Sequence, residues 1–132
     1  MPQATAITVP DRKATPVNHV FNPNGQLKDG SWLFTETAGT KIGERRLSVA
    51  MRKAGSNYKV RLLLTDPVVG TEVINGVSSP KTLRTSFADV TFTFSELSTL
   101  DERKDTVGMF SQTLLAYQTM LDSVITKLEA LY

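Results

Sequence analysis

Arg46, Ser48, Ala50 and Arg52 alternate with Leu47, Val49 and Met51, and Lys59, Arg61, Leu63 and Thr65 alternate with Tyr58, Val60, Leu62 and Leu64. Phe87, Asp89, Thr91 and Thr93 alternate in the same way with Ala88, Val90, Phe92 and Phe94. The first-named set in each case supplies cations, hydroxyls, one carboxylate and one aromatic ring. Those groups suit the holding of a polyanion whose bases can stack, because cations pair with phosphates and rings receive base faces. The same alternation also fits plain solvent-facing strands. Phe87 alone fits a core or interface position better than a stacking platform, and Asp89 fits an ion pair with Arg61 or Lys59 equally well.

Other chemistry finds little support. The chain has no cysteine and a single histidine, so neither a thiolate metal site nor a histidine cluster is available. No nucleophile elbow or glycine-rich phosphate loop occurs. The expectation is therefore no catalytic residues, no metal and no cofactor, in a protein that is not an enzyme. Net charge is only +2, from 15 basic and 13 acidic residues, which argues against coating nucleic acid through bulk charge. The distribution matters more. Arg45, Arg46, Arg52, Lys53, Lys59 and Arg61 cluster mid-chain, while Asp101, Glu102, Asp105, Asp122 and Glu129 fall toward the C-terminus.

A length of 132 residues with 40% hydrophobic content suits one globular domain, 1–132, large enough to bury a core. No apolar run approaches the roughly 20 residues needed to span a bilayer, and no secretory leader is visible. No membrane association is expected.

A period of two marks strands with one buried face. Ala4 to Val9 and Val17 to Phe21 read as an N-terminal hairpin, the second strand being closed by Asn22-Pro23-Asn24-Gly25. Ser31 to Thr37 is the third candidate, with Trp32 and Phe34 on one side and Trp32 expected in the core; Gly39 to Gly43 reads as a loop. Arg45 to Lys53 and Asn57 to Thr65 should form a tight hairpin around Ala54-Gly55-Ser56, and Asp66-Pro67 should end the second strand. Val68 to Val77 contains the turn signal Asn75-Gly76, Pro80 closes that region, and Leu83 to Ser95 is the last strand. Sheet and hairpin thus occupy about 4–95. The period then lengthens: Val107, Phe110, Leu114, Leu121, Val124, Ile125, Leu128 and Leu131 recur at steps of mainly three and four. Helix is expected over about 99–131, started by capping boxes at Ser98/Asp101 or Thr99/Glu102, with any break near Tyr117 to Thr119 invisible to the pattern. Strands followed by helix make an α+β layout. One helical segment covers a broad apolar sheet poorly, which points to dimerisation.

Several blocks also resemble one family. SNYKVRLLLTDP (Ser56 to Pro67), FADVTFTF (Phe87 to Phe94), the Ser98 to Arg103 helix start, DRKATPVNHVFNP (Asp11 to Pro23) and IGERRLSVAMRK (Ile42 to Lys53) look like the coat proteins of small single-stranded RNA bacteriophages, the leviviruses. So do Ile74-Asn75-Gly76-Val77 and Val107-Gly108-Met109. The resemblance runs in order along nearly the whole chain. It implies an N-terminal β-hairpin, a five-stranded antiparallel sheet and two C-terminal helices that interlock in a homodimer. It further implies an icosahedral T=3 shell, assembled in the bacterial host cytoplasm and carried in the virion, whose partner is single-stranded viral RNA with a hairpin operator. Packaging and translational repression of replicase follow from it, as do varied conformations of the 69–80 loop around the symmetry axes.

By the same resemblance, Arg46, Ser48, Ala50 and Arg52 lie on an RNA-facing strand. Ser48 keeps a hydroxyl the family uses around an adenine, and Ala50 does not. Lys59 and Arg61 would pair with phosphates from the next strand. Phe87 stands where the family usually has a stacking tyrosine, and Asp89 and Thr91 fit polar RNA-reading positions. From the residues alone, a non-viral dimeric regulator that binds RNA on an open sheet is the alternative.

Overall fold

The computed structural model describes residues 2–37 and 41–132. Six strands run in sequence order as one antiparallel meander: β1 Ile7–Pro10, β2 Asn18–Gln26, β3 Trp32–Thr35, β4 Arg46–Ala54, β5 Asn57–Ile74 and β6 Val77–Ser95. The strand β1 pairs only with the first half of β2, from Ile7↔Phe21 to Pro10↔Asn18, and so forms the N-terminal hairpin. The second half of β2 joins β3, so β2–β6 are the five strands of the main sheet. Two helices follow, α1 Leu100–Thr113 and α2 Thr119–Thr126. Met1–Thr93 and Phe94–Tyr132 are separate compact units. Part of the loop expected at Gly39 to Gly43 lies outside the described residues; Lys41–Gly43 form a single 3-10 turn.

Turn chemistry sets the register. Ala54 pairs with Asn57, so the β4–β5 connection is the two-residue Gly55-Ser56 rather than three residues. Gly55 takes φ +64°, the positive value a tight hairpin turn demands at its first central position. Asn75 (φ 52°) and Gly76 (φ 80°) both lie in the left-handed region, the requirement of a type I′ turn. That turn joins β5 directly to β6.

Prolines account for the strand boundaries that differ from expectation. Asp66-Pro67 does not end β5. Pairing with β4 stops at Arg46↔Thr65, so from Asp66 onward β5 has an open edge where a missing N–H costs no ladder bond. Pro80 likewise sits inside β6, the outermost strand. The Asn22–Gly25 segment does not close β2 either. Between Pro23 and Gln26 the register with β3 shifts, and a bulge accommodates a proline.

Among the described residues, the buried hydrophobic side chains are Phe21 and Phe34, at 4% and 6% exposure. Phe34 lies opposite Pro23 on β2 and Leu47 on β4. Trp32 shares its face, opposite Val49, yet remains 40% exposed and is not core within one chain.

Of the two possible capping boxes, Thr99/Glu102 forms. Thr99 Oγ1 accepts from the Glu102 N–H and Glu102 Oε2 accepts from the Thr99 N–H, each at 3.2 Å. The Ser98 hydroxyl is turned away and donates to the Ser95 carbonyl. Thr99→Ala should therefore cost about 1 kcal/mol, while Ser98→Ala leaves the cap intact; thermal unfolding of the two variants checks this. The helix expected over 99–131 is interrupted at 114–118, where the Tyr117 hydroxyl donates to Gln112 Oε1 at 2.6 Å. It ends at Thr126 because Leu128 adopts φ 59°.

Candidate nucleic-acid interface

The β3–β4–β5 register decides which side chains share a face. Direct partners point the same way, and the pairs Arg46↔Thr65, Ser48↔Leu63, Ala50↔Arg61 and Arg52↔Lys59 occupy one side of the sheet. Leu47↔Leu64, Val49↔Leu62 and Met51↔Val60 occupy the other. On the far side of β4, Thr35 lies opposite Arg46 and Leu33 opposite Ser48. Leu33, Thr35 and Thr65 therefore join the polar face; the period of two in Trp32–Thr35 signals the first two once the register is known.

The strand β6 adds its contribution through an ion pair. Arg61 Nε donates to Asp89 Oδ1 at 2.9 Å and Arg61 Nη2 to Asp89 Oδ2 at 2.7 Å. This fixes Asp89 on the polar face and, by alternation, Phe87 and Thr91 with it. Of the two partners open to Asp89, the structure selects Arg61. The pair raises the guanidinium pKa and lowers that of the carboxyl. Asp29, in the β2–β3 connection, adds a second negative field at Arg61. Asp89 keeps spare lone pairs for another donor, and the Arg61 fork keeps unused N–H groups. All nine sequence-derived positions, Arg46, Ser48, Ala50, Arg52, Lys59, Arg61, Phe87, Asp89 and Thr91, thus lie on one side of three adjacent strands.

The mid-chain basic cluster is sorted by the same pleat. Arg45 faces the apolar side and is neutralised, donating to Glu36 Oε1 at 2.7 Å and Asp66 Oδ1 at 2.8 Å. Lys53 also belongs to that side, opposite Tyr58, with its ammonium 5.6 Å from the ring centroid. On the polar face, Arg52 and Lys59 oppose each other directly. None of the ion pairs among the described residues involves Arg46, Arg52 or Lys59. Like charges directly opposite are destabilising, and an anion between them removes the repulsion. Phe87, on β6, is 68% exposed, so its ring face is open to a stacking partner. Among the described residues, no helix is long and apolar enough to cross a membrane.

The chain thus combines an antiparallel sheet bearing one cationic, ring-bearing face with two terminal helices. The levivirus coat protein family profile matches residues 2–132. The capsid protein of Pseudomonas phage PRR1 is 34% identical over 131 residues, covering 98% of this chain and 99% of its relative. That of Escherichia virus Qbeta is 30% identical over 109 residues, 80% of each chain. Among solved structures, the virus-like particle of bacteriophage ESE058 superposes with a TM-score of 0.84 at 29% identity, over 99% of this chain and 100% of the other. The bacteriophage GA capsid protein shares the fold, with a TM-score of 0.79 at 16% identity over 94% and 95% of the two chains. The chain belongs to the levivirus coat protein family. It is a bacteriophage capsid protein and a virion component, and the non-viral regulator gives way to that assignment.

Proposed function

We propose that this coat protein dimerises through β6, builds an icosahedral T=3 shell, and binds a hairpin of the phage genome on the β4–β5–β6 polar face, so packaging RNA and repressing replicase translation. The observation that carries the RNA reading is the facing pair Arg52↔Lys59, neither of them in an ion pair among the described residues. Two cations held opposite each other form a prepared seat for phosphate, which supplies affinity and little sequence reading. Arg46 extends the track, Phe87 offers a stacking surface, and Ser48, Asp89 and Thr91 supply polar groups for base edges. Ala50 offers no hydroxyl, so an adenine pocket here would rely on Ser48.

Dimerisation is supported by what one chain leaves open. The outermost strand β6, Val77–Ser95, has a free edge, and long free edges seek a strand. Met51 on the apolar sheet face is 68% exposed, and Leu100 and Leu114 of the helical unit are 58% and 45% exposed. A second copy supplies both a strand for the edge and apolar surface for these residues. The relative from bacteriophage ESE058 forms a virus-like particle, and the same assembly is proposed here.

Expression of this chain alone should yield uniform shells containing host RNA. Size exclusion and electron microscopy that found only small soluble species across conditions would overturn the assembly reading. Phe87→Ala should weaken binding of a looped RNA hairpin by about 10- to 100-fold, the range of one lost base–aromatic stack, and weaken duplex RNA far less. Equal losses for both RNAs in a fluorescence-anisotropy titration would exclude stacking.

A further inference from the structure

Charged side chains on the apolar side of the sheet form a chain of alternating sign that the RNA face does not use. Asp66 Oδ1 accepts from Arg45 Nε at 2.8 Å, and Arg45 Nη1 donates to Glu36 Oε1 at 2.7 Å. The other oxygen of Glu36 lies 2.6 Å from His19 Nδ1. His19 Nε2 lies 2.8 Å from Asp11 Oδ2, and Lys13 Nζ approaches that oxygen at 3.7 Å. Asp11 also orders the β1–β2 connection, its Oδ1 accepting from the N–H groups of Lys13 and Val17, each at 3.1 Å. Glu36 follows β3 and Arg45 precedes β4, joined by a backbone hydrogen bond of 2.9 Å.

Both ring nitrogens of His19 therefore meet a carboxylate oxygen, and the side chain is only 17% exposed. A neutral imidazole has one N–H and one lone pair. It could donate to only one of these oxygens and would set its lone pair against the other. The imidazolium donates to both. We propose that His19 is a pH-sensitive clasp that fastens the N-terminal hairpin to the main sheet, closed while the ring carries both protons and opened at one carboxylate when a proton leaves.

The position suits that role. Residues 18–21 of β2 pair with β1, and β2 joins β3 only from Asn22 onward. The clasp bridges this handover, tying the hairpin connection through Asp11 to the end of β3 through Glu36. The charged groups facing the ring are Asp11 and Lys13 from the hairpin connection, Glu36 after β3 and Arg45 before β4. The bond to Asp11, then that to Glu36, raises the ring pKa above its ordinary value, against partial burial and the Arg45 charge. A raised folded-state pKa gives a contribution that is complete below the unfolded-chain pKa and lost as pH rises through the folded value. The clasp thus opens on the alkaline side. On the acid side, the Asp11 carboxyl is held far below the usual range, first by His19 and then by the Val17 N–H, so that link persists until strongly acidic pH.

One histidine in the sequence makes the test direct. With 15N-histidine labelling of the full-length chain, the ring should keep its doubly protonated signature above the ordinary histidine range. Across its titration, pH-corrected hydrogen-exchange protection in residues 7–10 and 18–21 should fall about tenfold, the scale of one charge-assisted hydrogen bond. Protection in 46–65 should hold. His19→Gln should show the low hairpin protection at every pH. Glu36→Gln, which preserves shape and a hydrogen-bonding group, should shift the ring titration downward. A ring that titrates at or below the ordinary value, hairpin protection that ignores the titration, or an equal loss in 46–65 would each overturn the clasp.

Discussion

Replacing Arg46, Arg52 and Lys59 together by alanine should lower RNA affinity by about two to three orders of magnitude. These are the cations of the polar face outside its ion pair; Arg61 already shares its charge with Asp89. Each phosphate contact contributes about 0.7–0.9 to the slope of log affinity against log salt, so the triple variant should flatten that slope by about 2–3. A titration of labelled RNA across a salt series measures both quantities. The three side chains point away from the apolar face, so shells should still assemble but carry less RNA, read from the ratio of absorbance at 260 and 280 nm. An unchanged salt slope would place the RNA elsewhere.

The second large effect lies on the opposite face. Phe34→Ala should destabilise the fold by about 3–5 kcal/mol, the usual cost of emptying a buried phenylalanine site. Phe34 is 6% exposed, at the junction of β2, β3 and β4. A loss of that size is a large part of the roughly 5–15 kcal/mol that keeps a domain folded. Phe87→Ala removes the same side chain from a position 68% exposed and should stay within about 0.5 kcal/mol. Chemical denaturation of the two variants side by side gives the contrast. That contrast would make Phe34 a structural residue and leave Phe87 without a folding role, as the proposed stacking requires.

The polar face was legible because strand alternation and one strong turn leave few registers. Gly55-Ser56 pins β4 against β5, and the Arg61–Asp89 ion pair brings the singled-out residues of β6 to the same side. The prolines misled because their cost depends on neighbours. Pro67 reads as a strand end until one knows that β4 begins at Arg46 and leaves β5 without that partner. The helix break at 114–118 has no glycine or proline to announce it, and Leu128 adopts a backbone conformation no leucine advertises. Trp32 looked like core because its pattern is apolar; one chain does not cover it. The His19 chain was invisible for a different reason. Its acids lie 8 and 17 residues away in sequence and meet the ring only after β2 and β3 pair.

The strictly sequential strand order governs how quickly each copy becomes ready for assembly. Each strand pairs with the one made just before it, so sheet formation never waits for a distant segment, and loop-closure entropy stays small at every step. The β5–β6 hairpin can zip from Asn75-Gly76 outward as it leaves the ribosome. A protein needed in many copies at once thereby limits the time its apolar strands spend unpaired in a crowded cell.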